Sequence, residues 1–264
     1  MSKLVDLAQA MEAIPDGALV GLGGNTLNRA PMAAVMELAR QKKRGLRLVK
    51  TAGGMDVDLL CLAGCVASVD AGFVSYETEY SLCQHYRRAV QSGAVVANEH
   101  ACYTVISALR AASYGIPFMP VRGLQTSDLI EANDYFAAVT DPFTGETMSA
   151  VRAIRPDVCI LHVQLADERG NARIEGPLYE DVLLSRASKA VIVTAERIVG
   201  DDFFARSELK ANIPHFLVRS VVHEPRGAAP CACHGAYSVS DEVIHSFLRL
   251  DSAEMLADWL KRRP

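Results

Sequence analysis

The sequence predicts an α/β fold, an open and mostly parallel sheet flanked by helices, in one domain spanning residues 1–264. Three observations carry that prediction. Strand-like apolar runs alternate with helical patterns through glycine-bearing turns, the order expected of βαβ units. Some strands are continuously apolar, as in Val158-Cys159-Ile160-Leu161-His162-Val163, which suits a sheet covered on both faces. Finally, the chain is 50% hydrophobic but only 6% aromatic, with Ala, Val, Leu and Gly dominant, a composition fit for helices packed on such a sheet.

Residues 4–13 read as a short helix and Pro15-Asp16-Gly17 as a turn. A short apolar strand, 18–21, runs into Gly23-Gly24-Asn25-Thr26. Pro31 marks a helix start, after which Met32, Val35, Met36 and Ala39 recur at helical spacing. Strand 46–51 ends in Ala52-Gly53-Gly54, and the next helix stops at Gly64. Strand 66–75, helix 82–91, strand 95–97 and helix 102–114 follow. The pattern lapses over 123–150, which reads as an elaborated functional loop. Strand 158–163, an acidic turn at 167–171, helix 180–188 and strand 190–194 resume it. A helix over 241–262, broken near Asp251-Ser252, closes the chain.

With 27 Lys+Arg against 31 Asp+Glu, the net charge of −4 argues against nucleic acid as a partner. No apolar run approaches the roughly 18 residues of a membrane helix, and residues 1–7 do not resemble a signal peptide. Seven scattered cysteines point to reduced thiols, and the expected location is the cytoplasm.

Ligands of open α/β sheets bind beyond the carboxyl ends of the strands. The loop from Gly21 to Arg29 occupies such a position, and Gly23, Gly24 and Asn25 there are candidates to hold an oxyanion or phosphate. It lacks the Gly-Lys-Ser/Thr ending of a Walker loop. Gly53 and Gly54, and Ser75 at the end of the third strand, would line the same crevice. Arg29 can pair with an acid group, and Gln125, Thr126 and Ser127 can hydrogen-bond a small acyl group or cap a turn. Glu99, at a helix start, is a candidate catalytic carboxylate or a simple helix-dipole partner. His162, in a very apolar strand, reads as a satisfied core histidine. No nucleophile elbow is present. Cys231-Ala232-Cys233-His234 lacks a second ligand pair, so no metal is expected.

Taken in order, these segments resemble the alpha (A-type) subunit of the class I coenzyme A transferases, closest to the glutaconate CoA-transferase branch. Gly23-Gly24-Asn25-Thr26-Leu27-Asn28-Arg29-Ala30-Pro31 resembles that branch's Gly-Gly-Phe-x-x-x-Arg-x-Pro loop. Ala111-Ala112-Ser113-Tyr114-Gly115-Ile116-Pro117-Phe118-Met119-Pro120 resembles its Ala-Ala-x-x-Gly-Leu-Pro-Phe-Leu-Pro. Pro156-Asp157-Val158, continuing to His162-Val163-Gln164 and the acidic turn Asp167-Glu168-Arg169-Gly170-Asn171, is the most specific block. Lys189-Ala190-Val191-Ile192-Val193-Thr194-Ala195-Glu196 completes the register.

The resemblance implies a fold shared with ribose-phosphate isomerases and pairing with a homologous CoA-transferase beta (B-type) subunit. It also implies transfer of CoA between an acyl-CoA and a small carboxylic acid, with CoA a substrate and no tightly bound cofactor. The nucleophilic Glu is then expected on the beta subunit, because no Glu-Asn-Gly element occurs here. This chain would supply the oxyanion side and the acyl-pocket loops. Two departures stand out: Asn25 replaces the usual Phe, and Gly227-Ala228-Ala229-Pro230 lacks the family's His. A sister branch opens steroid rings by hydrolysis, using a carboxylate from its alpha subunit; that position falls near Cys102, leaving Glu99 as the possible substitute. A sugar-phosphate isomerase or a non-catalytic sensor is the alternative from another class on the same fold, though the Pro156-Asp157-Val158 to His162-Val163-Gln164 block argues against an isomerase. A subunit that only shapes its partner's pocket is the third reading.

Overall fold

The computed structural model describes residues 2–124, 127–132 and 134–262. Its strands are β1 (Leu19–Leu22), β2 (Leu46–Gly53), β3 (Val66–Val74), β4 (Val96–Glu99), β5 (Phe118–Val121), β6 (Phe136–Thr140), β7 (Thr147–Arg152), β8 (Val158–Asp167), β9 (Ala172–Arg173), β10 (Val191–Val199) and β11 (Val218–His223). The helices are α1 (Leu7–Glu12), α2 (Met32–Arg40), α3 (Met55–Leu62), α4 (Glu77–Tyr80), α5 (Gln84–Gln91), α6 (Cys102–Tyr114), α7 (Leu129–Ala132), α8 (Asp181–Ala187), α9 (Phe203–Arg206), α10 (Asp241–Leu248) and α11 (Ala253–Lys261).

The main sheet runs β11-β10-β8-β1-β2-β3-β4, all parallel, with β9 antiparallel on β8. The chain starts in the middle at β1, builds outward to β4, then returns to lay β8, β10 and β11 on the other side. The order therefore reverses between β1 and β8, where Gly21 pairs with Cys159 and Leu22 with Ile160. That reversal opens a crevice at the strand ends.

Burial on both faces explains the continuous apolar runs. All ten residues of β8 are buried. Ile160 joins the core formed with α2, α3 and α10, while Cys159 and Leu161 join the core under α6 and α8. Leu48 and Val49 on β2 divide in the same way, as alternating side chains of one strand must.

The 123–150 stretch differs from its expected form as a loop. β6 and β7 make a hairpin, and β5 completes a small antiparallel sheet in the order β5-β7-β6. Its outer positions, including Ala137 and Ala138, are exposed, so no clean apolar alternation marked these strands. All seven cysteines are free thiols, and no helix among the described residues is long and apolar enough to cross a membrane.

Candidate active site at the strand ends

The glycine loop is a rigid turn fitted against its neighbours. Gly23 N donates to Ile160 O at 3.0 Å, carrying the β1–β8 ladder one step past the strand. Gly24 has a φ of +71°, and a Cβ there would lie 2.4 Å from Asn28 O, so only glycine fits. Asn25 and Asn28 exchange backbone hydrogen bonds of 2.9 and 2.7 Å, closing the turn. Thr26 N then donates to Ala52 O at 3.0 Å. A Cβ on Gly54 would meet the Thr26 backbone at 3.0–3.2 Å, so the two glycine turns touch. Ser75 N donates to Gly53 O at 3.0 Å, adding the end of β3. Gly23, Gly24, Asn25, Gly53, Gly54 and Ser75 thus gather at one end of the sheet.

Two buried ion pairs lock this arrangement. Lys50, 3% exposed, donates to Gly23 O at 2.8 Å and to Asp56 Oδ2 at 2.5 Å. The other oxygen of Asp56 accepts from Gly54 N and Val57 N at 3.0 and 2.9 Å. Arg29, 2% exposed, pairs with Asp181 Oδ2 and donates to His162 O and Pro177 O at 3.1 and 3.0 Å. Asp181 Oδ1 accepts from Gly24 N at 2.8 Å. Each cation is neutralised by a carboxylate that also holds a glycine-turn amide, the condition under which buried charges are tolerated.

This wiring corrects two sequence expectations. The backbone N–H groups of Gly23, Gly24 and Asn25 all donate within the protein, so the loop offers no amide nest to an oxyanion. Its remaining side-chain amide donors are the Asn25 carboxamide, partly exposed, and the exposed Asn28 carboxamide, both without a hydrogen-bond partner among the described residues. Arg29 is a strut joining the loop to the 177–181 turn, since its guanidinium is spent on Asp181 and two carbonyls.

Other candidates lie apart. Glu99 ends the edge strand β4, exposed and three strands from β1. Ser127 caps the α7 turn, its hydroxyl accepting from Leu129 N at 3.3 Å. Gln125 and Thr126 lie outside the described residues.

His162 is fully buried, with Thr194 Oγ1 at 2.9 Å on Nδ1 and Glu196 Oε1 at 2.8 Å on Nε2. Burial holds its pKa down. Burial would raise Glu196, but hydrogen bonds from His162, Tyr237 and Arg226 N outweigh it and lower that carboxyl. Ligand atoms of His162, Glu196 and Cys233 lie within 4.8 Å of one another, the one metal-like grouping among the described residues, and it does not include Cys231 or His234. Its His and Glu are already joined in a satisfied hydrogen-bond network. Beside the loop opens a cleft of about 700 Å³ lined by Asn28, Arg29, Tyr179, His234 and Tyr237 among others.

Sequence reasoning missed Thr51, Glu180 and Asp181. Adjacent acids before a helix are ordinary dipole partners, and nothing local shows that Asp181 reaches Arg29 across 152 positions.

A profile for coenzyme A transferase matches residues 4–224. The A-subunit of the glutaconate CoA-transferase of Acidaminococcus fermentans is 30% identical over 96% of this chain and 85% of its own. The crystal structure of that transferase superposes with a TM-score of 0.92 at 29% identity, covering 98% of this chain and 88% of that one. The A-subunit of the 3-oxoadipate CoA-transferase of Pseudomonas knackmussii is 35% identical over 90% of this chain and 84% of its own. The cholesterol ring-cleaving hydrolase IpdA subunit of Rhodococcus jostii is 31% identical over 86% of this chain and 79% of its own. A variant of the decarboxylase AibA/AibB superposes with a TM-score of 0.89 at 35% identity, over 99% of this chain and 98% of that one. An uncharacterized Archaeoglobus fulgidus protein is 36% identical over 91% of this chain, which spans 54% of that longer protein. With the profile match, the shared open sheet and the glycine turns at its strand ends, the chain belongs to the coenzyme A transferase family.

Proposed function

We propose that this chain is the alpha subunit of a heteromeric CoA transferase that moves CoA between an acyl-CoA and a small carboxylic acid. The observation that supports this most strongly is the commitment of the carboxylates behind the glycine turns. Asp56 and Asp181 are bound to buried cations, and Glu196 accepts three hydrogen bonds. These three are not free to attack, and with no Glu-Asn-Gly element in this chain the attacking carboxylate is assigned to a homologous beta subunit. It attacks the thioester carbonyl to give an acyl anhydride and CoA thiolate. The thiolate attacks the glutamyl carbonyl of that anhydride, releasing the first acid as its carboxylate and leaving a glutamyl thioester, and the second acid takes the CoA by the same two steps in reverse. This chain's part is a fixed wall, with the Asn25 carboxamide donating to the tetrahedral oxyanion and Gly53, Gly54 and Ser75 bordering the acyl group. CoA enters as a substrate and not as a resident cofactor.

A second reading is acyl-CoA hydrolysis, supported by the ring-cleaving relative and by Glu180, a half-buried carboxyl of this chain that borders a small crevice with Gly24 and Thr51. The two-chain complex, given an acyl-CoA and an acceptor acid, should move CoA between them. Free CoA accumulating without an acceptor would favour hydrolysis.

A further inference from the structure

His162 on β8, Glu196 on β10 and Cys233 in the 231–237 loop bring one nitrogen, one oxygen and one sulfur donor together, within 4.8 Å of one another. Donor atoms around one tetrahedral zinc, with bonds of about 2.0–2.3 Å, stand about 3.3–3.6 Å apart. The His162–Glu196 contact of 2.8 Å would open by about 0.5 Å, and the sulfur would approach by at most about 1 Å. Both are adjustments of side-chain torsions, with the two strands left in place. Cys233 lines the cleft of about 700 Å³, which gives an ion a path to the group.

Each donor is also held from behind. Thr194 Oγ1 lies 2.9 Å from His162 Nδ1, the ring nitrogen turned away from Glu196. Arg226 N donates to Glu196 Oε2 at 2.8 Å, which leaves Oε1 for the group. Gln164 Nε2 donates to Cys233 Sγ at 3.5 Å, a contact that favours a thiolate. Outer hydrogen bonds of this kind fix the tautomer and orientation of metal ligands. A mixed N, O and S set suits zinc, whereas magnesium and calcium take oxygen donors. The ligands missing around Cys231-Ala232-Cys233-His234 thus come from β8 and β10, and they meet Cys233 alone.

We propose that His162 Nε2, Glu196 Oε1 and Cys233 Sγ form a binding site for a thiophilic divalent cation, zinc by its donor set. The assignment stands apart from CoA transfer and does not require it. On binding, the Cys233 S–H bond breaks, the sulfur lone pair goes to the metal and the proton leaves to solvent. The proton that joins His162 Nε2 to Glu196 is carried instead on Nδ1, where Thr194 Oγ1 accepts it, so one proton is released per ion. Three protein donors leave a fourth position for water. The ion would tie the 231–237 loop, which walls the cleft, to β8 and β10. His162 O also accepts from Arg29, so the site adjoins the strut of the glycine loop.

The test uses the full chain, reduced, stripped with a chelator and titrated without oxygen with Co2+ and then Zn2+. Co2+ should bind as one ion per chain with a thiolate-to-cobalt charge-transfer band, and Zn2+ should displace it. Calorimetry in two buffers should show about one proton released per Zn2+. Saturating Zn2+ should raise Tm by about 5–10 °C. Cys233→Ser should abolish the band and weaken Zn2+ binding about 100-fold, while Cys102→Ser, which removes a thiol outside the group, keeps both. If Cys233→Ser does not fold, Glu196→Gln should keep the thiolate band and weaken Zn2+ binding about 10-fold or more. No charge-transfer band in the native chain, a band that survives in Cys233→Ser, or unaltered affinity in Glu196→Gln overturns the assignment.

Discussion

Arg29→Met isolates the strut that joins the glycine loop to the turn before α8. In the native chain the guanidinium meets Asp181, His162 O and Pro177 O, and the two charged side chains are only 3% and 2% exposed. Removing it leaves the Asp181 carboxylate buried with one remaining donor, Gly24 N at 2.8 Å. Stripping one partner from a buried pair costs about 3–5 kcal/mol, because the other charge is left uncompensated. At roughly 2–4 °C per kcal/mol, Tm should fall by on the order of 10 °C. Arg29→Met combined with Asp181→Asn removes both charges while keeping an acceptor for Gly24 N. The double variant should therefore recover much of the loss, with a coupling of about 1–3 kcal/mol. Urea unfolding of the four proteins gives the cycle. A single-variant loss below about 1 kcal/mol, or strictly additive effects, would refute the idea that this pair fixes the loop.

If the Asn25 carboxamide holds the oxyanion, Asn25→Ala in the two-chain complex should lower kcat for CoA transfer by about 100- to 1000-fold; unchanged turnover would remove that role. Asp58, on α3, is fully buried and accepts from Tyr76 Oη and Tyr86 N at 2.9 and 2.8 Å. Burial raises its pKa from 3.8 to about 6. The folded state thus binds more protons than the unfolded state between those values, so this contribution to stability is greatest at low pH and is lost as pH rises through about 6. At about 1.4 kcal/mol per pH unit that loss is about 3 kcal/mol. Asp58→Asn should therefore gain stability relative to the wild type between pH 4 and pH 8, read from urea midpoints; a constant difference would contradict it.

The main sheet was legible because strands buried on both faces must be apolar throughout. Helix α6 (Cys102–Tyr114) coincides with the 102–114 pattern, and the break between α10 and α11 falls at Asp251-Ser252 as expected. β11 is less apparent, since Arg219 and Ser220 interrupt its apolar run. The glycine turns were legible for a physical reason: a φ of +71° with no room for a Cβ leaves only Gly at position 24. What occupies the surroundings of those turns was not. Asp181 lies 157 positions from Gly24, and no local pattern tells a strut such as Arg29 from a substrate-binding arginine. Backbone donors have the same ambiguity, because sequence marks where amides cluster but not where they are already spent.

The most direct measurement co-expresses this chain with its homologous partner and follows the transfer of CoA from a labelled acyl-CoA to a second carboxylic acid. The complex should transfer CoA, and this chain alone should not. Transfer by the isolated chain, or release of free CoA by the complex with no acceptor acid present, would contradict the division of the site between two chains.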